Sequence, residues 1–281
     1  MTQTFNIDCE LVYQVDGPSD FLFLIHALHG MDQEVLDESF AITPGLSNVV
    51  YADPSLNHRF LRLHAEQGEL RLHYRARVRR TAEPPDVNAA EVPIAELPDE
   101  LMHNLMPTRY CESDQLSRAA QKLFGALPPG HSRVQAISDW IHDNIDYEIG
   151  STQATTTARD VLLQRAGVCR DFAHLGVTFC RALNIPARLV VGYASFDEPP
   201  PDFHAVFEAY VGRRWVLFDA TRMTRLDELV RIASGRDAKD VAFATIFGPA
   251  TMVSMAPLVT PAPEDSGTQS SASFADADHS G

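Results

Sequence analysis

The amino-acid sequence predicts an α+β protein, in which a small β-sandwich precedes helices packed on an antiparallel sheet. The spacing of hydrophobic residues changes twice along the chain, and these changes indicate this fold class. The first eighty residues show the period-two alternation of strands, and helical spacing replaces it after about residue 113. Three strand-like segments then follow one another from residue 187 onward. With 281 residues, of which 45% are hydrophobic, the chain is long enough for two domains.

The N-terminal β domain is predicted over residues 1–80. The segment "FNIDCELVYQV" alternates, so that Phe5, Ile7 and Cys9 fall on one face. "FLFLIHAL" is a short apolar strand, and "HRFLRLHAEQGELRLHYRARVRR" indicates two strands around a turn at Gln67 and Gly68. Several short strands of this kind are typical of a sandwich.

Residues 81–107 are predicted to form a linker, because "TAEPPDVNAAEVPIAELPDE" is rich in proline and acidic residues and has no sustained period. The catalytic domain is predicted over residues 108–256. It begins with the helical segments "DQLSRAAQKLFGALPP" and "SRVQAISDWIHDNIDYEIG". The small, polar and acidic residues 257–281 are predicted to be a disordered tail.

Charge and cysteine usage narrow the class of partner. The net charge of −15 argues against a nucleic-acid partner, which requires clustered Lys and Arg. The N-terminal residues show no signal-peptide pattern and no apolar stretch reaches membrane-spanning length, so we expect a cytoplasmic protein without a membrane partner. The four cysteines are scattered, and this spacing favours neither a zinc ribbon nor a disulfide scaffold.

Cys169 stands where a turn becomes a helix, in "GVCRDFAHLGVTFCRALNIPARLVVGY". Unpaired N–H groups and the positive end of the helix dipole stabilise a thiolate at such a position. The same N–H groups suit a developing oxyanion. Cys180 lies within "GVTFCRAL" and is interpreted as a core residue.

A nucleophilic thiol needs a base, and the base needs an orienting partner. Of the histidines, His204 is distinctive because it opens the strand "FHAVFEAYVG" directly after a loop. Asp219 closes the next strand, "RRWVLFDAT", and a turn at Gly212 makes the two strands an antiparallel pair. His204 and Asp219 are therefore expected at the same end of one hairpin. Cys169, His204 and Asp219 form a candidate catalytic triad.

The segments "AGVCRDFAHLGVTFCRALNIPARLVVGY" and "HAVFEAYVGRRWVLFDAT" resemble the core of the transglutaminase-like superfamily, whose thiol enzymes have a papain-like fold. The similarity is closest to bacterial transglutaminase-like cysteine proteases, and it extends over residues 107–223. The resemblance implies that Cys169 is the nucleophile, His204 the acid and base, and Asp219 the orienting carboxylate. The family often has Trp and Pro where this chain has Val206 and Ala220.

Three further residues near the predicted triad are candidates for supporting roles, but their sequence patterns are less specific. Asp171, in the first turn of the helix, is interpreted as a capping charge. Trp140 and Tyr147 are candidates for a second oxyanion donor, although core packing explains each of them equally well. No cluster of His, Cys and Asp has metal-ligand spacing, so we expect no metal and no cofactor.

The sequence thus predicts thiol-dependent acyl transfer on amide or isopeptide bonds, with hydrolysis as the preferred outcome and a peptide, a protein or a small amide as substrate. Two alternatives stay open. One is an amine-accepting protein-glutamine transglutaminase, and the other is a catalytically silent module that binds peptides in a groove.

Overall fold

The computed structural model describes residues 2–263, apart from 31, 55 and 197–201. The first part of the chain forms six strands, which are β1 (Thr2–Val15), β2 (Ser19–Phe23), β3 (Gln33–Thr43), β4 (Asn48–Ala52), β5 (Arg59–Ala65) and β6 (Gly68–Thr81). The predicted linker contains two 3-10 segments, Ile94–Glu96 and Asp99–Leu105. It packs on the catalytic domain, since Ala89 accepts a hydrogen bond from the His131 amide at 2.8 Å.

The catalytic part mixes helices and strands, as the sequence predicts. Its elements are α1 (Ser113–Phe124), α2 (His131–Asn144), β7 (Asp146–Tyr147), α3 (Ala158–Gln164), β8 (Ala166–Gly167), α4 (Cys169–Ala182), β9 (Ala187–Tyr193), β10 (Phe203–Val211), β11 (Arg214–Phe218), β12 (Val230–Gly235) and α5 (Ala238–Val241). Two last strands follow, β13 (Ala244–Phe247) and β14 (Ala250–Pro261). The α+β fold class is confirmed.

The N-terminal domain is a sandwich of two antiparallel sheets, ordered β14-β1-β6-β3 and β13-β2-β5-β4. The alternating positions of β1 point inward, and Phe5, Ile7 and Cys9 are all buried. On the opposite side of the same sheet, charged side chains pair across the strands, as Arg71 does with Glu10 at 2.7 Å. Alternation along β1 and β6 therefore separates an apolar interior from a solvated, charge-paired exterior.

The predicted domain boundaries need correction at the C-terminal end. β14 pairs with β1 along its whole length, from Ala250 opposite Val15 to Pro261 opposite Phe5, and β13 pairs with β2. The β domain therefore consists of residues 1–80 together with the last two strands, and residues 257–261 are strand rather than tail. Pro257, Pro261 and the small polar residues that follow them suggested coil, but pairing with the open edge of β1 makes residues 257–261 a strand. The rest of the predicted tail, 264–281, lies outside the described residues.

The catalytic sheet has the antiparallel order β11-β10-β9-β12, and α4 packs on one of its faces. Residues 171–181 of this helix are buried without exception, which fits a helix that is covered on all sides. Gly176 permits the close approach, because a Cβ there would lie 2.6 Å from the ring of Phe207 on β10. The packing places the N-terminus of α4 beside the end of the sheet where β10 begins and β11 ends.

Candidate active site

Cys169 is the accessible thiol of the chain. It is the first residue of α4 and is half-buried, with its Sγ 4.0 Å from the carbonyl oxygen of Phe203. Cys9, Cys111 and Cys180 are each 0% exposed, and burial raises the pKa of all three thiols well above its ordinary value. The predicted structural interpretation of Cys180 is consistent with this burial. Reagents in solution can therefore distinguish one cysteine from the other three.

The carboxylate of Asp171 fixes the start of α4. Its Oδ2 accepts hydrogen bonds from the Val168 amide at 3.0 Å and the Thr152 hydroxyl at 2.6 Å. Its Oδ1 accepts from the guanidinium of Arg170 at 2.8 Å. Gly167 leaves room for this residue, since a Cβ there would lie 2.8 Å from the Cβ of Asp171. The helix-capping interpretation of Asp171 agrees with this geometry, and its hydrogen bonds hold the turn that leads into Cys169.

His204 and Asp219 meet at one end of the β10–β11 hairpin, as the predicted pairing requires. In the register Phe207 stands opposite Phe218, so the residues that open β10 lie beside those that follow β11. The Nε2 atom of His204 lies 3.0 Å from Oδ2 of Asp219, and both residues are buried. The contact leaves Nδ1 of the ring free to face the thiol.

The loop after β11 holds the Asp219 carboxylate in one orientation. Its Oδ1 accepts from the Thr221 amide at 2.9 Å and from the Thr221 hydroxyl at 2.7 Å, and its Oδ2 also accepts from the Thr224 amide at 3.2 Å. Burial alone would raise the pKa of Asp219, but the hydrogen bonds from His204 and Thr221 and the charge of His204 lower it below its ordinary value. The carboxylate is thus ionised and aimed at the ring.

The surroundings of His204 favour its protonated form. Burial alone would lower the pKa of the ring, but hydrogen bonds to Asp219 and Cys169, together with their negative charges, raise it to about 10. The protonated ring is therefore favoured at neutral pH. A cation between a thiol and a carboxylate is the arrangement in which a thiolate can exist before any substrate binds.

Comparison with known proteins assigns the chain to a family. The model of the transglutaminase-like superfamily matches residues 117–220, and that of the bacterial transglutaminase N-terminal domain matches residues 3–100. The crystal structure of a "Putative Cysteine Protease" from Cytophaga hutchinsonii superposes with a TM-score of 0.88 at 43% identity, covering 94% of this chain and 92% of that one. The chain belongs to the transglutaminase-like superfamily.

Sequence comparison also finds similar proteins in mycobacteria. An uncharacterized protein of Mycobacterium leprae is 30% identical over 148 residues, which are 49% of this chain and 52% of that protein. An uncharacterized protein of Mycobacterium tuberculosis is 32% identical over 115 residues, or 36% of this chain and 37% of that protein. The transglutaminase-like chain therefore matches about half the length of these relatives or less.

Tyr147 lies beside the thiol of this transglutaminase-like site, whereas Trp140 does not. Trp140 packs between Phe124 and Phe179, with ring centroids 6.1 and 5.7 Å away, and belongs to the core. Tyr147 is 37% exposed, and its hydroxyl lies close enough to Cys169 to interact electrostatically with the thiol and the backbone N–H. Burial and the negative charge of the thiolate raise the pKa of Tyr147.

The signal that places Tyr147 is a short parallel pairing that the sequence did not predict. β7 and β8 are only two residues each, and they align Tyr147 with Gly167, two positions before Cys169. Parallel pairing of two-residue strands has no periodicity to detect.

In the described part of the chain, no group of three or more His, Cys, Asp or Glu residues could hold a metal ion. No helix among those residues is long and apolar enough to cross a membrane.

Proposed function

We propose that this protein is a thiol-dependent acyl-transfer enzyme that hydrolyses amide or isopeptide bonds, with Cys169 as nucleophile, His204 as acid and base and Asp219 as the orienting carboxylate. The observation that carries the proposal is the pairing of Nε2 of His204 with Asp219 at 3.0 Å, next to the accessible thiol. Asp219 occupies one ring nitrogen, so the other is left for chemistry at the sulfur. Peptides, proteins and small amides are the substrate classes that suit this site.

In the first step, the Cys169 thiolate attacks the carbonyl carbon of the substrate, and a C–S bond forms while the carbonyl electrons move to oxygen. His204 then gives the proton on Nδ1 to the leaving nitrogen, and the C–N bond breaks. The products of this step are a free amine and a thioester on Cys169. Asp219 keeps Nε2–H in place and balances the charge of the imidazolium.

In the second step, the neutral ring of His204 accepts a proton from water at Nδ1, and the hydroxide attacks the thioester. The thiolate leaves, and the acid product is released. An amine in place of water would give transamidation by the same bond changes. The 43% identity to the Cytophaga hutchinsonii protein supports hydrolysis as the main outcome.

Two donors are available for the oxyanion of both steps. The first residues of a helix have N–H groups without intrahelical partners, and the amide of Cys169 is one of them. The Tyr147 hydroxyl beside Cys169 supplies the second donor, once a substrate oxygen replaces it as the acceptor of the Cys169 amide. Removal of one such donor in other enzymes costs on the order of 100-fold or more in kcat. Tyr147→Phe should therefore lower kcat by about this factor, with little change in the rate at which iodoacetamide alkylates Cys169.

The test combines labelling with product analysis. Iodoacetamide near neutral pH should modify one cysteine, Cys169, and an amide or isopeptide substrate should release amine and acid. A silent binding module would show slow labelling and no turnover by the intact chain over a peptide and isopeptide library. A transglutaminase would incorporate a fluorescent primary amine faster than it releases acid.

Matched cysteine variants serve as controls for this test. Cys169→Ala should remove labelling and turnover together, whereas Cys180→Ala should keep both. Turnover by Cys169→Ala would refute the assignment of the nucleophile.

A further inference from the structure

An aromatic side chain outside the triad lies against the ring of His204. The centroids of the Phe196 and His204 rings are 5.6 Å apart, and the two ring planes are inclined by 58°. A separation of this size is typical of two rings in direct contact. Phe196 is half-buried, and the proposed chemistry gives it no role.

The sequence of β9 explains why this contact falls to Phe196. Gly192 stands opposite His204 in the pairing of β9 with β10, and opposite residues in a sheet share a face. At this position β9 therefore has no side chain that could lie beside the ring. A larger residue cannot take the place of Gly192, because a Cβ there would lie 2.5 Å from the carbonyl oxygen of Val230. The side chain that contacts the ring comes instead from just beyond the end of β9, at Phe196.

A small apolar cluster, separate from the main core, anchors Phe196. The buried members of this cluster are Val190, Ala194, Val206 and Leu229, and Phe196, Leu217 and Leu226 pack against them. Val206 lies two positions after His204 on β10, so the two side chains share a face of the sheet. The cluster that holds Phe196 is thus built partly on the strand that carries His204, and this fixes the position of one ring relative to the other.

Water can approach the His204–Asp219 pair from the side of Asp219. A cavity of about 640 Å³, large enough to hold water, has Asp219, Leu217 and Leu226 in its wall. His204 does not belong to that wall as far as the described residues form it, and it is 1% exposed, against 8% for Asp219. Leu217 and Leu226 contact both the cavity and the apolar cluster, so the cluster separates the ring from the cavity.

Exclusion of water from the ring strengthens the interactions that orient it. The negative charges that act on His204 are those of Cys169, Asp219 and Asp202. Their attraction for the imidazolium weakens when water lies between the groups, because the effective dielectric constant rises. Water at Nε2 would also compete with Asp219 for the contact at 3.0 Å. An apolar cover on the ring therefore protects its orientation.

We propose that Phe196 is a positioning residue of the active site. Its ring lies on the ring of His204, holds it in the orientation that joins Nε2 to Asp219 and turns Nδ1 towards Cys169, and keeps water away from the Nε2–Asp219 contact. The effect of Phe196 on turnover rests on the proposed acyl transfer, whereas its shielding of the ring does not.

Proton NMR of the full chain with isotope-labelled histidine measures the shielding directly. The Nε2–H proton of His204 should give a downfield resonance that is missing from His204→Gln, because an N–H group that is held by a carboxylate and kept from water exchanges slowly. In Phe196→Ala this proton should exchange with water at least about tenfold faster. An unchanged exchange rate in Phe196→Ala, or no protected resonance in the wild type, would overturn the proposal.

Three further variants separate the shielding from other effects of the substitution. Phe196→Leu restores an apolar cover and should exchange within about threefold of the wild type; exchange as fast as in Phe196→Ala would refute the shielding. Phe247→Ala, at a phenylalanine that is 64% exposed on β13, is the matched control and should exchange as the wild type does. If Phe196→Ala does not fold, Phe196→Gln, which places a polar group on the ring, takes its place with the same expected result.

Turnover distinguishes positioning of the ring from contact with the substrate. On the peptide or isopeptide that the intact chain cleaves fastest, Phe196→Ala should lower kcat by about threefold or more and leave KM within about twofold, because the placement of His204 acts on proton transfer and not on binding. A raised KM with unchanged kcat would show that Phe196 binds substrate and would refute the positioning role. If the chain cleaves no amide, the proposed acyl transfer fails while the exchange of the His204 proton still decides the shielding.

Discussion

Replacing Asp219 with Asn tests whether this carboxylate orients and charges His204. In the wild type, Oδ1 accepts from two donors of Thr221, and Oδ2 accepts from His204 and the Thr224 amide. An amide has only one acceptor oxygen, so one of these two pairs of donors must face an NH₂ group. If the oxygen stays with Thr221, the NH₂ group faces Nε2 and forces it to be unprotonated. The ring then carries its proton on Nδ1 and cannot accept one from the thiol.

The structure sets the scale of the effect. The pKa of His204 is raised from 6.5 to about 10, and 1.36 kcal/mol per tenfold change makes this about 5 kcal/mol in favour of the protonated ring. Asp219 and Cys169 provide this preference together, against the opposing effect of burial. Loss of Asp219 removes part of this preference, and each tenfold weakening of the imidazolium corresponds to about 1.4 kcal/mol.

The assay is the rate of Cys169 alkylation by iodoacetamide across pH. Because Asp219 helps to hold the pKa of His204 above its ordinary value, we expect the wild-type ring to be protonated at pH 6 and to favour attack by the sulfur there. In Asp219→Asn the rate at pH 6 should fall at least about tenfold. The rate at pH 9, where a thiol ionises with less help, should fall by no more than about threefold.

Turnover in this variant should fall by on the order of 100- to 10,000-fold. Asp227→Asn, at an exposed carboxylate of the same loop that pairs with Arg225, is the control and should match the wild type. Parallel pH profiles for Asp219→Asn and the wild type would refute the reasoning.

Three further predictions concern stability and its separation from chemistry. Cys169→Ala should lower the free energy of unfolding by at most about 1 kcal/mol, whereas Cys180→Ala, at a fully buried position, should lower it by about 1 to 2 kcal/mol. Urea denaturation measures both values, and the reverse order would contradict the burial of Cys180. Truncation before Pro257 should lower the melting temperature and reduce the free energy of unfolding by about 1.5 kcal/mol or more, because it exposes part of β1 and removes the buried Val259. Truncation after Pro263 is the control and should leave the melting temperature unchanged. Equal melting temperatures of the two truncated chains would show that residues 257–263 do not stabilise the fold. Burial, aided by nearby arginine charges, lowers the pKa of His174 to about 3, so the unfolded chain takes up the proton first and stability is lost as pH falls below 6.5. At pH 5 this loss amounts to about 2 kcal/mol of the free energy of unfolding, measured by urea denaturation, and it should be absent in His174→Asn. If the free energy of unfolding changes equally between pH 7 and pH 5 in the wild type and in His174→Asn, the ring of His174 is not buried in its neutral form.

Much of the candidate site could be predicted because its residues lie at the ends of elements with strong local signals. The helix of Cys169 is rich in apolar residues and begins shortly after a glycine, and β10 and β11 form a hairpin that brings His204 to Asp219 by pairing alone. These features depend on residues within about twenty positions of one another. The resemblance to the transglutaminase-like superfamily supplied the position of the thiol relative to that hairpin.

What could not be predicted depends on contacts between residues far apart in the chain. β14 follows β1 by more than two hundred residues, and its pairing with the open edge of β1 explains why a segment that contains Pro257 and Pro261 becomes a strand. Tyr147 reaches Cys169 through a two-residue parallel pair. Asp32 next to the sandwich pairs with Arg80 of β6 at 2.9 Å and with Arg231 of the catalytic sheet at 3.5 Å. No periodicity records such pairings, since each is set by tertiary packing.

The same long-range contacts make the sandwich part of the catalytic unit rather than a separate attachment. The side chain of Gln33 in β3 forms two hydrogen bonds with the backbone of Arg231 in β12. Its Nε2 donates to the Arg231 carbonyl at 2.9 Å, and its Oε1 accepts from the Arg231 amide at 2.8 Å. The hydroxyl of Tyr193, at the end of β9, donates to the carbonyl of Ile25 at 2.5 Å. Strands β9 and β12 both carry contacts from the sandwich, and the last two strands return to complete that sandwich after the catalytic sheet. Because the chain enters and leaves the catalytic part through the sandwich, and Gln33 of the sandwich holds Arg231 of the catalytic sheet, we expect the two parts to unfold together.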